Sequence, residues 1–271
     1  MEIKRVWAMY WSATGTTRTA VTAAARALAS VPVLPVEEWD FTLPGGRMGQ
    51  PDFRAGDVVV FGTPTYAGRV PNVLLKYLNT LNGNGAAAVP VVTYGNRNFD
   101  DSLIELRDIL AEHGFLPFAA GAFVGEHSFS RTLGAGRPDG DDLELARELG
   151  EHAAASLAAD RMALIPVDGT PKPYRGYYQP RDRAGVPVNI LKVKPKTGEA
   201  CDGCGLCARV CPMGSISPED PRIFTGICIK CGACEKRCPT GAKYYDDPGY
   251  LYHKTELEEG YKRRGESKLF L

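Results

Sequence analysis

Cysteine is absent from the first 200 of the 271 residues, although the chain carries eight. No apolar run approaches the ~20 residues that a membrane-spanning helix requires. The opening MEIKRVWAMYWSATG has neither a secretory apolar core nor a small-residue cleavage site. A secreted or membrane-spanning protein is not expected, and the cytoplasm is the expected compartment. An excess of one charge is missing too: 32 Lys+Arg face 32 Asp+Glu, so nothing points to nucleic acid. Histidine is scarce, at four residues, with no Ser–His–Asp order and no HExxH helix. Gly83-x-Gly85 precedes a strand pattern instead of following one, the wrong order for a dinucleotide fingerprint. Triad hydrolases, zinc peptidases and nicotinamide-binding domains therefore drop out.

What is present is unevenly distributed. Residues 1–165 hold 14 Lys+Arg against 19 Asp+Glu, and residues 166–271 hold 18 against 13. All eight cysteines fall between positions 201 and 238. Without a signal peptide, such a block argues for metal ligation over disulfides. Two domains of different chemistry are expected.

The first part, residues 1–165, alternates strand and helix patterns. Strands are expected at 6–11, 31–36, 57–62, 88–94 and 115–124, the fourth weakened by Pro90. Helices are expected at 16–29, 71–81, 100–113 and 141–159, where apolar residues recur at helical spacing. Five strands alternating with helices give a doubly wound α/β fold. Ligands in such sheets bind at the carboxyl ends of the strands, which directs the search to the loops after strands one, three and four. Residues 166–195 form a Pro- and Tyr-rich connection with six Lys+Arg against two acids. A solvated tether and a strap packed on a domain are both open readings.

Cys201-x2-Cys204-x2-Cys207-x3-Cys211-Pro212 is followed, 27 residues on, by Cys228-x2-Cys231-x2-Cys234-x3-Cys238-Pro239. Three thiolates on one tight turn suit three irons of a cubane, and the fourth, before Pro, reaches the other cluster. The expected sets cross: Cys201, Cys204, Cys207 and Cys238 for one, Cys228, Cys231, Cys234 and Cys211 for the other. Gly203, Gly205 and Gly232 stand between ligands, where backbone must approach sulfur closely. Two four-cysteine zinc sites are the alternative, but zinc usually pairs two CxxC hooks across a longer loop. Residues 200–245 resemble bacterial-type ferredoxins with two 4Fe–4S clusters, which implies one-electron transfer.

After the first strand comes Ser12-Ala13-Thr14-Gly15-Thr16-Thr17, leading into a helix. Backbone amides at a helix start make an anion nest, and no lysine stands where a Walker loop needs one. The loop resembles the phosphate loop of flavodoxins, [ST]-x-T-G-x-T, at every specified position. That resemblance implies FMN, with Ser12, Thr14 and Thr17 offering hydroxyls and Ala13, Gly15 and Thr16 offering amides. It also implies two ring loops, Thr63-Pro64-Thr65-Tyr66-Ala67-Gly68-Arg69 and Tyr94-Gly95-Asn96-Arg97-Asn98-Phe99-Asp100. Tyr66 is the first choice to stack on the isoalloxazine, with Tyr94 on the other face or edge. Gly68 and Gly95 would let backbone reach the ring. Arg69 and Arg97 would offset charge on reduced flavin or, as commonly, lie solvated at the surface. His127 lies on the loop side of the sheet, as a flavin neighbour or as a loop histidine bonded to backbone.

Together the halves resemble the flavodoxin–ferredoxin fusion proteins of anaerobes, through SATGTT, TPTYAGRVP, YGNRNFDD, HSFSRT and both cysteine runs. The implied organisation is a five-stranded flavodoxin-like domain (1–165), a basic strap (166–195), a small α+β ferredoxin domain (196–250) and a charged tail (251–271). The implied function is electron transfer through FMN and two 4Fe–4S clusters, with redox proteins as partners and no residue evidently set aside for a substrate. Rival readings are a flavin-dependent reductase with its pocket at residues 125–140, and a docking module of a larger redox complex. The strap's positive charge is expected to hold it along both acidic cofactor domains.

Overall fold

The sheet of the first domain follows from strands whose residues are apolar on both faces. In this computed structural model, which describes residues 2–271, β1 (Arg5–Tyr10), β3 (Asp57–Pro64), β4 (Ala87–Tyr94) and β6 (Ala120–Val124) are almost wholly buried. Alternate residues serve opposite faces. Val6, Ala8 and Tyr10 pack toward α1 (Thr16–Ser30) and α4 (Gly140–Ala158). Trp7, Met9 and Trp11 pack on the other side, with α2 (Asn72–Leu78) and α3 (Ser102–Glu112).

The parallel strands run in the order β2-β1-β3-β4-β6, where β2 is Val36–Asp40. This is the flavodoxin-like order, with its switch point between β1 and β3. Three sequence expectations need correction. The second strand starts at residue 36, not 31, because Pro32 and Pro35 break the pairing before it. The strand expected at 115–124 is split into β5 (Leu116–Pro117) and β6. Pro90 sits inside β4, in the gap between the pairings Ala88↔Pro117 and Val91↔Gly121, where no neighbour on that side needs its missing N–H.

The third correction concerns residues 251–271, which are not a tail. Asp247 caps a helix, accepting a hydrogen bond from the Tyr250 amide at 2.9 Å. The chain then returns, and β9 (Lys268–Phe270) pairs antiparallel with β6 at the edge of the sheet. Asn96 fastens this return: its Nδ2 donates to the carbonyls of Tyr261 and Arg263, and its Oδ1 accepts from the Gly265 amide.

The cysteine block holds a two-stranded sheet of β7 (Lys196–Thr197) and β8 (Lys243–Tyr244) and two one-turn helices, α5 (Leu206–Arg209) and α6 (Ala233–Lys236). Each short helix starts from a glycine with positive φ, Gly205 at 67° and Gly232 at 76°, so the repeat in sequence is a repeat in backbone. The last helix, α7, is Pro248–Gly260. Among the described residues no helix is long and apolar enough to cross a membrane.

Candidate functional site

The loop after β1 ends at Gly15, whose φ of 98° starts α1 and leaves the amides of Thr16 and Thr17 available to an anion. Thr14, Thr16 and Thr17 line a cleft at that point. Thr17 Oγ1 is also bonded to Thr93 Oγ1 at 2.7 Å. Ser12 is turned away: its hydroxyl accepts from the Arg18 amide at 3.0 Å and its own amide donates to Thr42. Its place is to close the loop. Ala13 lines the same cleft.

The cleft continues toward Tyr66 and Tyr94, where a second hollow opens over Ala67, Gly68, Arg97 and Asn98. The two hold about 60 and 220 Å³ of cavity volume and share Tyr66, Tyr94 and His127 in their walls. Thr65 and Pro64 form part of the wall, while Thr63 is fully buried beneath it. Two buried donors are orphaned there, the Trp11 indole N–H and the Thr63 hydroxyl. Trp11 lines the phosphate end of the cleft and meets Tyr66 edge to face, with ring centroids 5.8 Å apart. A helix start with amides available, hydroxyls beside it, an orphaned indole N–H and aromatic walls fit a flavin mononucleotide.

Other sequence candidates make contacts within the protein. Asn96 belongs to the C-terminal return. Asp100 is engaged by Arg97, and its side chain fills the space where a Cβ on Gly68 would stand. Gly95 lacks a side chain because the His127 ring occupies that space. Arg69 is neither at the flavin nor solvated. It makes a two-point ion pair with buried Glu105 (2.7 and 2.6 Å) and lies under Tyr174 and Tyr177 of the strap. Arg97 lies against Tyr178, 5.3 Å from its ring centroid.

His127 is a loop histidine bonded to backbone, and it also lines the cleft. Nδ1 accepts from the Phe129 amide at 3.1 Å, which leaves the proton on Nε2, and the ring lines both parts of the cleft. Burial, with Lys236, His253 and Arg97 adding positive charge nearby, pushes its pKa down to about 3.

Cys211, Cys228, Cys231 and Cys234 ring a small hollow of about 20 Å³, otherwise walled by apolar side chains such as Met213, Ile216 and Phe224. Amides of Ser215 and Lys230 donate to the sulfurs of Cys211 and Cys228, each at 3.4 Å. Burial pushes the Cys231 thiol up to about 12 and raises Cys234 as well. Such thiols ionise readily only against a metal's charge. Among the described residues no three His, Cys, Asp or Glu side chains gather closely enough for a single metal ion. Sulfurs spread around a cavity suit a polynuclear cluster better than tetrahedral zinc. Of the other four cysteines, taken below as the outer set, Cys204 is exposed and Cys201, Cys207 and Cys238 are half-buried.

Sequence reasoning missed the junction. Cys231 lines both the cavity of the inner quartet and the cleft at the first loop, and Ile229 and Lys230 wall the second hollow. Tyr66 spans the gap: the Cys231 and Cys228 sulfurs add to burial in raising its hydroxyl pKa. Lys236 locks the two halves here, donating to the Glu126 carboxylate and to the carbonyls of His127 (2.7 Å) and Ser130 (2.8 Å). No signal in one sequence pairs residues 100 positions apart.

The strap lies along both halves. Tyr174 donates to Asp108, Arg175 pairs with buried Asp101 at 2.7 Å, and Tyr177 donates to the Val70 carbonyl. Further on, Arg183 pairs with Glu256 and Glu259 of α7.

Residues 200–242 match the family model described as a 4Fe-4S dicluster domain. No curated protein matches the chain. Among solved structures the N-terminal part is similar to a flavodoxin from the domain Archaea, at 15% identity over 57% of this chain and 99% of that one, TM-score 0.43. It is also similar to a flavodoxin of Streptococcus pneumonia TIGR4, at 19% identity over 56% and 99%, TM-score 0.41. Oxidised flavodoxin 1 of Bacillus cereus follows at 19% identity over 54% and 95%, TM-score 0.35.

Proposed function

We propose that this chain transfers electrons between redox proteins through FMN and two 4Fe–4S clusters. The observation that carries the reading is Cys231, one residue shared by the walls of the cleft at the first loop and the inner cysteine cavity. A flavin exchanges electrons singly or in pairs and a cluster takes one at a time, so the pairing lets unlike donors and acceptors be joined. The 13–17 loop would hold the FMN phosphate through α1 amides and the hydroxyls of Thr14, Thr16 and Thr17. Tyr66 and Tyr94 would enclose the ring, and His127, held neutral, would present Nε2–H as a hydrogen-bond donor without adding charge. The inner set, Cys211, Cys228, Cys231 and Cys234, would hold the cluster next to the flavin. The outer set, Cys201, Cys204, Cys207 and Cys238, ending at exposed Cys204, would face the partner. The chain's place is the cytoplasm, and donor and acceptor are proteins.

Anaerobic purification with cofactor extraction should return one FMN and about eight irons and eight sulfides per chain. NADH or NADPH alone should leave the flavin oxidised, whereas reduced ferredoxin should reduce it. Rapid reduction by a nicotinamide would contradict a carrier without its own substrate site. A hollow beside Tyr66 and Tyr94 that carries His127 and His253 in its wall favours a second reading, a flavin-dependent reductase. Saturable turnover of a small acceptor, lost on replacing His127, would establish that one.

A further inference from the structure

The 27-residue repeat sets Lys243 in the second cysteine run against Ile216 in the first. Both side chains are buried, each 3% exposed. Isoleucine is what a small apolar core asks for, whereas burying an ammonium is costly unless it is satisfied. Lys243 Nζ donates to Thr197 Oγ1 at 2.6 Å and to the Pro221 carbonyl at 2.5 Å. Both acceptors are uncharged, so no carboxylate cancels its field.

Its position lies between the two quartets. Nζ stands 5.1 Å from the ring centroid of Phe224, and Phe224 is part of the inner cavity wall. Beside Lys243, Ala242 accepts from the Gly198 amide, and the Gly198 carbonyl accepts from the amide of Cys201 in the outer set. Lys194 also approaches the Phe224 ring, at 5.5 Å, but it is exposed and solvent screens its charge.

We infer that Lys243 sets the reduction potential of both clusters, as a buried positive charge between the quartets that makes each easier to reduce. The inference rests on the reading that both quartets hold 4Fe–4S clusters. Each reduction adds one electron, drawn from the flavin or from an outside donor, and no proton or bond change is required. The added negative charge is stabilised by a fixed cation that salt does not screen.

The test is a spectroelectrochemical titration of the cluster-loaded protein with dithionite and mediators, alongside iron and sulfide counts. In Lys243→Met the reduced-to-oxidised ratio at a fixed ambient potential should fall about tenfold, about 59 mV for one electron. Lys243→Arg, which keeps the charge, should stay near the parent. If the Met variant fails to load clusters, Lys243→Gln carries the same expectation, since its amide still donates to Thr197 and Pro221. A fully loaded neutral variant with unchanged potentials overturns the inference, as does an Arg variant that shifts as far as Met. Cluster loss from both neutral variants but not from Arg also counts against it, because the charge would then serve assembly. A parent chain without about eight irons contradicts the cluster reading itself, separately from Lys243.

Discussion

His127 keeps a neutral imidazole in a buried place, and that has a consequence for stability. Unfolded, it titrates near the ordinary 6.5; folded, only near 3. Below 6.5 the unfolded chain takes up a proton that the folded chain refuses. Its contribution is therefore full above about 6.5 and declines as pH falls toward 3, by up to about 1.4 kcal/mol per pH unit. Urea unfolding of the apoprotein from pH 7 to 4 should show a shallower acid slope for His127→Gln than for the parent. Equal slopes would mean the parent imidazole is solvated. Gly95→Ala should cost about 1–3 kcal/mol, because the new methyl needs space that the His127 ring fills. At this scale the sequence was legible where residue type implies chemistry, as with the cysteines, whereas Ser12 of the first loop closes that loop. It was opaque where a polar residue serves the fold, as Asn96 does for the C-terminal return and Arg69 for the strap.

Elements legible in advance were those whose composition reflects burial on both faces. The apolar runs of β1, β3 and β4 could be read directly, while β2, with the sequence VEEWD and partly exposed, carries almost no signal. Charged residues 251–271 read as a tail because β9 exists only through its pairing with a distant strand. Deleting 266–271 would uncover the β6 edge, so lower stability and concentration-dependent self-association are expected by thermal melting and gel filtration. In the strap, the Arg175 guanidinium holds the Asp101 carboxyl down at about 2. A lowered carboxyl stabilises above its unfolded value, near 4, and loses that effect as pH falls toward 2. Neutralising Arg175 and Arg183 together should speed proteolytic nicking within 166–195 several-fold at pH 7. Arg181→Ala should not, since Arg181 donates only to Gly185 within the strap. Equal nicking in both variants would show that the two ion pairs do not hold the strap.

At the scale of the whole molecule, two sequence motifs lie on separate stretches of chain, and only folding makes Cys231 a wall common to both cavities. Lys236 and the strap then keep that wall in place. A flavin and a cluster so housed should exchange electrons within one chain. Flash reduction of the flavin in the fully loaded protein, followed at flavin and iron–sulfur wavelengths, measures this directly. The account predicts that flavin reoxidation and cluster reduction proceed together at one first-order rate, unchanged across a tenfold range of protein concentration. A rate that rises in proportion to concentration would place the transfer between molecules and contradict the shared wall as its route.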